Sequence, residues 1–358
     1  MRRLFPPLDQ RLHIPRRGAS ARFQRKVCEA NLAGSFPKAA RLMGSLAHVT
    51  ISPKEVQLIT ERVGAALEKE RRQATDEYLR AGGVRKGKGP ALRRGGTPHL
   101  LVITLDGGRV QTRQENPDEK WKEDKVAVVY EATPCPESPG QEYEGPAARN
   151  RSVTATMGDW EALGDHASAL ADRRGYGRAV HKVCLSDGAG SIASQRQRCF
   201  PDATFILDHK HAVEHLHQTA QAGFGSGSKA ESWFDRQKER LWNGRVRLII
   251  KDIAGLCRKA GPPPKGAAET DRRRILATNL HYFETNREGM DYPRFRKNGW
   301  PIGSGIVEST IKQLGKRLKG SEKHWVIDGA ESTLQVMAHL IAEDGSWNEF
   351  WKRCPLAA

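Results

Sequence analysis

The sequence has no Cys-x-x-Cys pair, no long apolar run and no surplus of acids, and each absence narrows its identity. Six cysteines, at 28, 135, 184, 199, 257 and 354, lie scattered through 358 residues. That spacing argues against a zinc ribbon and a disulfide framework and leaves reduced, partly buried thiols. The longest apolar stretches, such as residues 100–105, are far too short to cross a bilayer. The opening MRRLFPP lacks the apolar segment of a signal peptide, so a cytoplasmic protein is expected. Neither a basic amphipathic anchor nor a lipidation motif is present, so no membrane partner is expected. There is no internal repeat, Walker loop, nucleophile elbow or Rossmann fingerprint.

Positive charge is what the chain has in excess: 59 Lys and Arg against 42 Asp and Glu, a net +17. Such a surplus favours a polyanion, because neutralising phosphates releases condensed counterions. Hydrophobic residues at 38% and charged residues at 28% suit a soluble, folded chain, long enough for more than one folding unit.

Along the chain, residues 1–80 read as helical, with one short helix at 36–44 and a second beginning at Ser52-Pro53-Lys54-Glu55. There Ser is the N-cap, Pro takes the first helical position, and Glu completes a capping box. Val56, Ile59, Val63 and Leu67 follow with helical spacing. The pair is either a helix-turn-helix that reads DNA or an ordinary helical hairpin. Residues 81–97 form a Gly-, Lys- and Arg-rich linker. Residues 98–222 then change character. Strands are expected at 99–106 (HLLVITLD), 126–131, 152–156, 181–186 (HKVCLS) and 203–207, with helices at 159–172 and 189–199. Three strands, then helix, strand, helix, strand, suit a mixed α/β sheet with flanking helices. Residues 223–300 read as an all-helical basic insertion, with long helices at 232–259 and 267–288. Residues 301–358 return with a helix through Leu318, buried along Val307, Ile311, Leu314 and Leu318, and another from about Asp328.

Two aspartates close strands and precede glycine: Asp106 before Gly107-Gly108, and Asp187 before Gly188. Each is a hairpin signal taken alone. Two of them ending central strands of one sheet point to a shared site. Glu308, in the first turns of the last-part helix, either complements the helix dipole and pairs with Lys312 or joins those aspartates. Its helix also carries Lys316, Arg317 and Lys319, cations suited to a DNA backbone. Asp208 and His211 lie in a run rich in histidine. His211 and His215 have zinc-ligand spacing but no convincing third partner, so an accessory role is expected. Carboxylates drawn from separate elements are what two-metal phosphodiester chemistry requires, and hard oxygen donors select Mg²⁺ or Mn²⁺. Trp233, Trp242 and Trp300 either stack on exposed bases or pack in the core.

Four ordered motifs, LDGGRVQTR (105–113), LSDGA (185–189), FILDHKHAVEHL (205–216) and PIGSGIVEST (301–310), resemble the Kra-type bacterial insertion-sequence transposases. RLKGSEKHW (317–325) fits the same pattern. The resemblance spans residues 36–345 and extends distantly to mutator-like transposases. It implies an RNase H-like core interrupted by a helical insertion, with a DDE triad of Asp106, Asp187 and Glu308 holding two Mg²⁺ or Mn²⁺ ions. Asp208 and His211 match the D-x-x-H element of the wider group. Asp208 competes with Asp187 for the second ligand, and Asp187 is preferred because its strand fits the fourth of the core. DNA contacts are expected from Arg109 and Arg113 in the first motif and from Lys312, Lys316, Arg317 and Lys319. The implied activity is DNA cleavage and strand transfer on element ends and target, by at least a dimer. Relatives carry a cysteine-rich N-terminal segment that this sequence lacks, which implies a truncated copy. A non-catalytic DNA-binding remnant and a nuclease without strand transfer are the competing readings.

Overall fold

The computed structural model describes residues 19–83, 97–113, 120–320 and 322–353. The linker read at 81–97 therefore falls largely outside the described residues.

The apolar run read at 99–106 becomes part of the central strand of one mixed sheet. That strand does not close at Asp106 as expected, because pairing with its antiparallel neighbour carries it on through Gly107-Gly108 to Gln111. Strands β1 (Leu100–Gln111), β2 (Trp121–Ala132), β3 (Ala148–Thr156), β4 (His181–Ser186) and β5 (Thr204–Leu207) stand in the order β3-β2-β1-β4-β5. β1 and β2 are antiparallel, as are β2 and β3, whereas β4 runs parallel to β1 and β5 parallel to β4. This is the RNase H-like mixed α/β sheet that the motifs imply. The parallel steps need crossovers. Helix α4 (Trp160–Arg173), reached through β3, leads to β4, and α5 (Gly190–Cys199) joins β4 to β5.

Alternation along the strands divides the apolar side chains between two faces. Leu101, Ile103, Leu105, Ala127 and Val129 bury against Leu163, Ala167 and Ile192 of α4 and α5. Leu100, Val102, Val110, Val126 and Val128 point the other way, into the larger core. That core is filled by α6 (His209–Phe224), α7 (Ser228–Trp242), α8 (Val246–Ala260), α9 (Arg272–Thr285), α10 (Tyr292–Lys297), α11 (Gly305–Leu318) and α12 (Ile327–Ile341). The apolar positions read on α11, namely Val307, Ile311, Leu314 and Leu318, are its buried face.

The single helix expected over 232–259 is two helices. The chain turns at Asn243-Gly244-Arg245, where Gly244 adopts φ +70°, a conformation that L side chains rarely take. Trp233 and Trp300 are buried, and Trp242 is half-buried with the Arg296 guanidinium 3.8 Å over its ring. Core packing thus accounts for Trp233 and Trp300, while Trp242 lies outside the core clusters and is covered by Arg296 and His209.

At the N-terminal end, α1 (Ala21–Ala30), α2 (Phe36–Ala47) and the long α3 (Pro53–Arg80) build a third cluster with Val336 of α12 and α13 (Ser346–Arg353). Ser52 caps α3 as expected, its hydroxyl accepting from the Glu55 amide at 3.1 Å. The helices are fixed to the sheet. Gly64 lets the α3 backbone meet that of Ser332, and Arg71 both pairs with Glu331 at 3.0 Å and donates to the Ala155 carbonyl. No helix among the described residues is long and apolar enough to cross a membrane.

Candidate active site

The register of β1 and β4 brings two of the expected carboxylates side by side. Their pairing ends at Thr104 opposite Leu185, so Asp106 and Asp187 each stand two residues beyond the same rung. Their parity matches that of Val102 and Leu185, which face the larger core, so both side chains leave the sheet on that face. Helix α11 packs across β1 on this face, and Glu308 in its first turn comes close enough to act on the charge of Asp106.

The three carboxylates share one electrostatic field. Burial raises the Asp106 pKa to about 6, and the nearby charges of Asp187 and Glu308 push it further in the same direction. The Gly107 amide, donating to Asp106 Oδ1 at 2.6 Å, and His211 act against that shift. Asp187 Oδ1 accepts from the Ala189 amide at 2.9 Å, a local turn that leaves its second oxygen without a donor among the described residues. Gly188 completes this turn at φ +84°. A Cβ there would stand 2.7 Å from Leu207 and 2.8 Å from Asn286, so only glycine fits. From the insertion, Tyr282 donates its hydroxyl to the Asp187 carbonyl at 2.9 Å, and α9 thereby buttresses the turn.

Glu308 is engaged at both oxygens. Ser304 donates to Oε1 at 3.1 Å, while Lys210 and Lys312 approach Oε2 at 3.4 and 3.8 Å. With the side chains so placed, no three His, Cys, Asp or Glu among the described residues stand close enough to share one ion. The donor chemistry still suits a hard divalent cation: three carboxylates, one of them held above its ordinary pKa by burial and like charge.

Asp208 is a different kind of residue. It is fully buried at the N-cap of α6, where one oxygen accepts from the His211 amide at 2.8 Å and the other from the Ser304 amide. Both oxygens are consumed in joining α6 to the loop that introduces α11. His211 is half-buried beside Glu214, at 3.5 Å, and lies within the field of Asp106. His215, its zinc-spaced neighbour, instead contacts Asn279 at 2.6 Å and stacks on Tyr282 with ring centres 3.7 Å apart.

The expected DNA-facing cations separate into three groups. Arg109, Lys312, Lys316 and Lys319 are exposed. Arg113 is exposed but anchored, its Nε donating to the His324 carbonyl at 3.0 Å. Arg317 is a correction: only 2% exposed, it points inward, donates to Asn31 at 2.9 Å and lies 4.2 Å over the Phe36 ring. It ties α11 to the N-terminal helices and does not share the exposed face of Lys312, Lys316 and Lys319.

Lys210, Ser304 and Tyr282 were not singled out from sequence. Lys210 lies within DHKH and Ser304 within PIGSG, so both stand inside motifs, but their contacts depend on how α6 and α11 meet. The sequence pattern around Tyr282 gives no comparable signal.

Comparison with known proteins gives one informative similarity. The chain is 24% identical over 344 residues to a UPF0236 protein in the vanSb 3′ region of Streptococcus gallolyticus. The match covers 93% of this chain but 66% of that protein, so the chain spans about two thirds of its relative's length. No protein-family profile matches the chain.

Proposed function

We propose that the chain is a metal-dependent DNA transposase that cleaves and joins strands with Asp106, Asp187 and Glu308. The observation carrying this reading is the gathering of these residues. Two adjacent parallel strands and a distant helix deliver three carboxylates into one field, where burial first, and then the charges of Asp187 and Glu308, raise the Asp106 pKa to about 6. Like charges so grouped are costly, and a bound cation offsets that cost. The four motifs shared with Kra-type transposases support the same residues and the same order.

Asp106, Asp187 and Glu308 would hold two Mg²⁺ or Mn²⁺ ions, which would supply activation of the attacking oxygen and charge neutralisation of the leaving one. The chain's own residues do the positioning. Tyr282 and Gly188 fix the Asp187 turn, and Ser304 orients Glu308. Asp208 fixes the loop that carries Ser304, which favours Asp187 over Asp208 as the second ligand. Water adds to phosphorus and the P–O3′ bond breaks, leaving a 3′-hydroxyl at the element end. That hydroxyl then attacks a phosphodiester of target DNA, displacing a second 3′-oxygen. Arg109, Lys312, Lys316, Lys319 and the basic insertion grip phosphates and thereby set the register without reading sequence. Bringing two ends together requires at least two copies.

The test is cleavage and joining of labelled DNA from the ends flanking the gene, with Mg²⁺ or Mn²⁺, by wild type and by Asp106→Ala, Asp187→Ala, Asp208→Ala and Glu308→Ala. Joined products from wild type, lost in the three triad variants with the fold intact, support the proposal. Cleavage without joining makes the protein a nuclease. Metal-independent binding with no cleavage makes it a DNA-binding remnant.

A further inference from the structure

Lys210 joins α6 to the catalytic helix, yet stability gives no reason for that contact. Its side chain is 64% exposed and Lys312 is 75% exposed, while the Glu308 carboxylate they share is only 19% exposed. An ammonium held in water over a carboxylate at 3.4 Å is the kind of ion pair whose net contribution is small, because ordering a long side chain offsets the attraction. The backbone beneath it is the reverse. Lys210 occupies the first turn of a helix whose N-cap, Asp208, is fully buried and tied to the α11 loop. A flexible cation is thus presented from a rigid base at the edge of a triad that must admit a phosphate.

Charge makes the consequence concrete. Three carboxylates repel a DNA phosphate, and lysines beside Glu308 moderate that repulsion. A cation bound by Glu308 would compete with Lys210 for that carboxylate. We infer that Lys210 is a phosphate-gripping residue handed from Glu308 to DNA. It neutralises Glu308 while the carboxylate is uncommitted, then binds a non-bridging phosphate oxygen of the strand once the carboxylate holds metal. This inference rests on the metal-binding role proposed for the triad.

The handover has opposite signs in two measurements, which a merely structural lysine does not produce. Using the full-length chain, free Mn²⁺ is titrated by electron paramagnetic resonance against wild type, Lys210→Ala and Glu308→Gln. Binding to a random-sequence DNA duplex is then measured across a salt series, with and without Ca²⁺. Without DNA, Lys210→Ala should bind Mn²⁺ about threefold more tightly, since a competing cation is gone. With Ca²⁺, it should lose about one unit of the salt slope of DNA binding, one phosphate contact. Without divalent metal, its slope should match wild type, because Glu308 retains Lys210 there. Lys210→Arg should keep the metal-dependent contact. Mn²⁺ binding that needs Glu308 but is unchanged by Lys210→Ala, or a slope unaffected by metal, overturns the role of Lys210 alone. Mn²⁺ binding insensitive to Glu308→Gln overturns the triad reading and the handover with it.

Discussion

Replacing Asp208 by alanine should unfold the site before it touches the chemistry. The carboxylate is fully buried and accepts from two backbone amides, those of His211 and Ser304. Removing it strands the buried Ser304 amide and leaves the half-buried His211 amide without its acceptor, at roughly 1–3 kcal/mol each. The loss includes an N-cap, which alone is worth about 1 kcal/mol. Asp208→Ala should therefore cost roughly 3–5 kcal/mol of unfolding free energy. Asp208→Asn should cost less, because its amide retains one acceptor oxygen. Asp187→Ala removes a carboxylate engaged only by its own turn, so its stability should lie within about 1 kcal/mol of wild type. Urea denaturation monitored by circular dichroism separates the three variants. If Asp208→Ala unfolds with wild type yet abolishes metal-dependent cleavage, Asp208 is a metal ligand and the staple argument fails.

Further outcomes follow from the same geometry. Folding raises the Asp106 pKa from 3.8 to about 6, so its ionisation opposes folding: the penalty is absent below pH 4 and complete above pH 6. Asp106→Asn should then stabilise the metal-free protein by roughly 2–3 kcal/mol at pH 8 and by little at pH 3.5; equal effects at both pH values would contradict the assignment. Gly188→Ala forces a Cβ to 2.7 Å from Leu207 at φ +84°, so thermal melts should shift down and cleavage should fall with them. Arg317→Ala should destabilise by roughly 2–4 kcal/mol through lost packing on Phe36 and a lost bond to Asn31. Under folding conditions it should bind DNA with unchanged salt slope, whereas Lys316→Ala should lower that slope by about one.

The strands and both aspartates were legible because each signal is local. An apolar run followed by Asp-Gly did mark the end of β4 at Asp187, but at Asp106 it did not, because β1 continues in register with β2 through Gly107-Gly108 to Gln111. The N-cap at Ser52 was equally explicit. Arg317 shows where local reading fails. Grouping it with Lys312, Lys316 and Lys319 follows residue type, but it stands three residues after Leu314 and beside Leu318, on the flank of the buried face. Helical spacing contained that warning. The break at Gly244 was also written in the Asn-Gly pair, but two amphipathic segments with similar charge read as one helix. By contrast, the contact of Lys210 with Glu308 spans 98 residues and depends on Asp208 docking the α11 loop on α6. No periodicity reports such a contact.

The central claim is that Asp106, Asp187 and Glu308 form one metal site, and anomalous diffraction from crystals soaked in Mn²⁺ tests it most directly. Manganese peaks bridging these three carboxylates are expected, with Lys210 displaced from Glu308 and Asp208 still bonded to Ser304. Manganese on Asp208 or His211 in place of Asp187, or no peak at the triad in saturating metal, would contradict it.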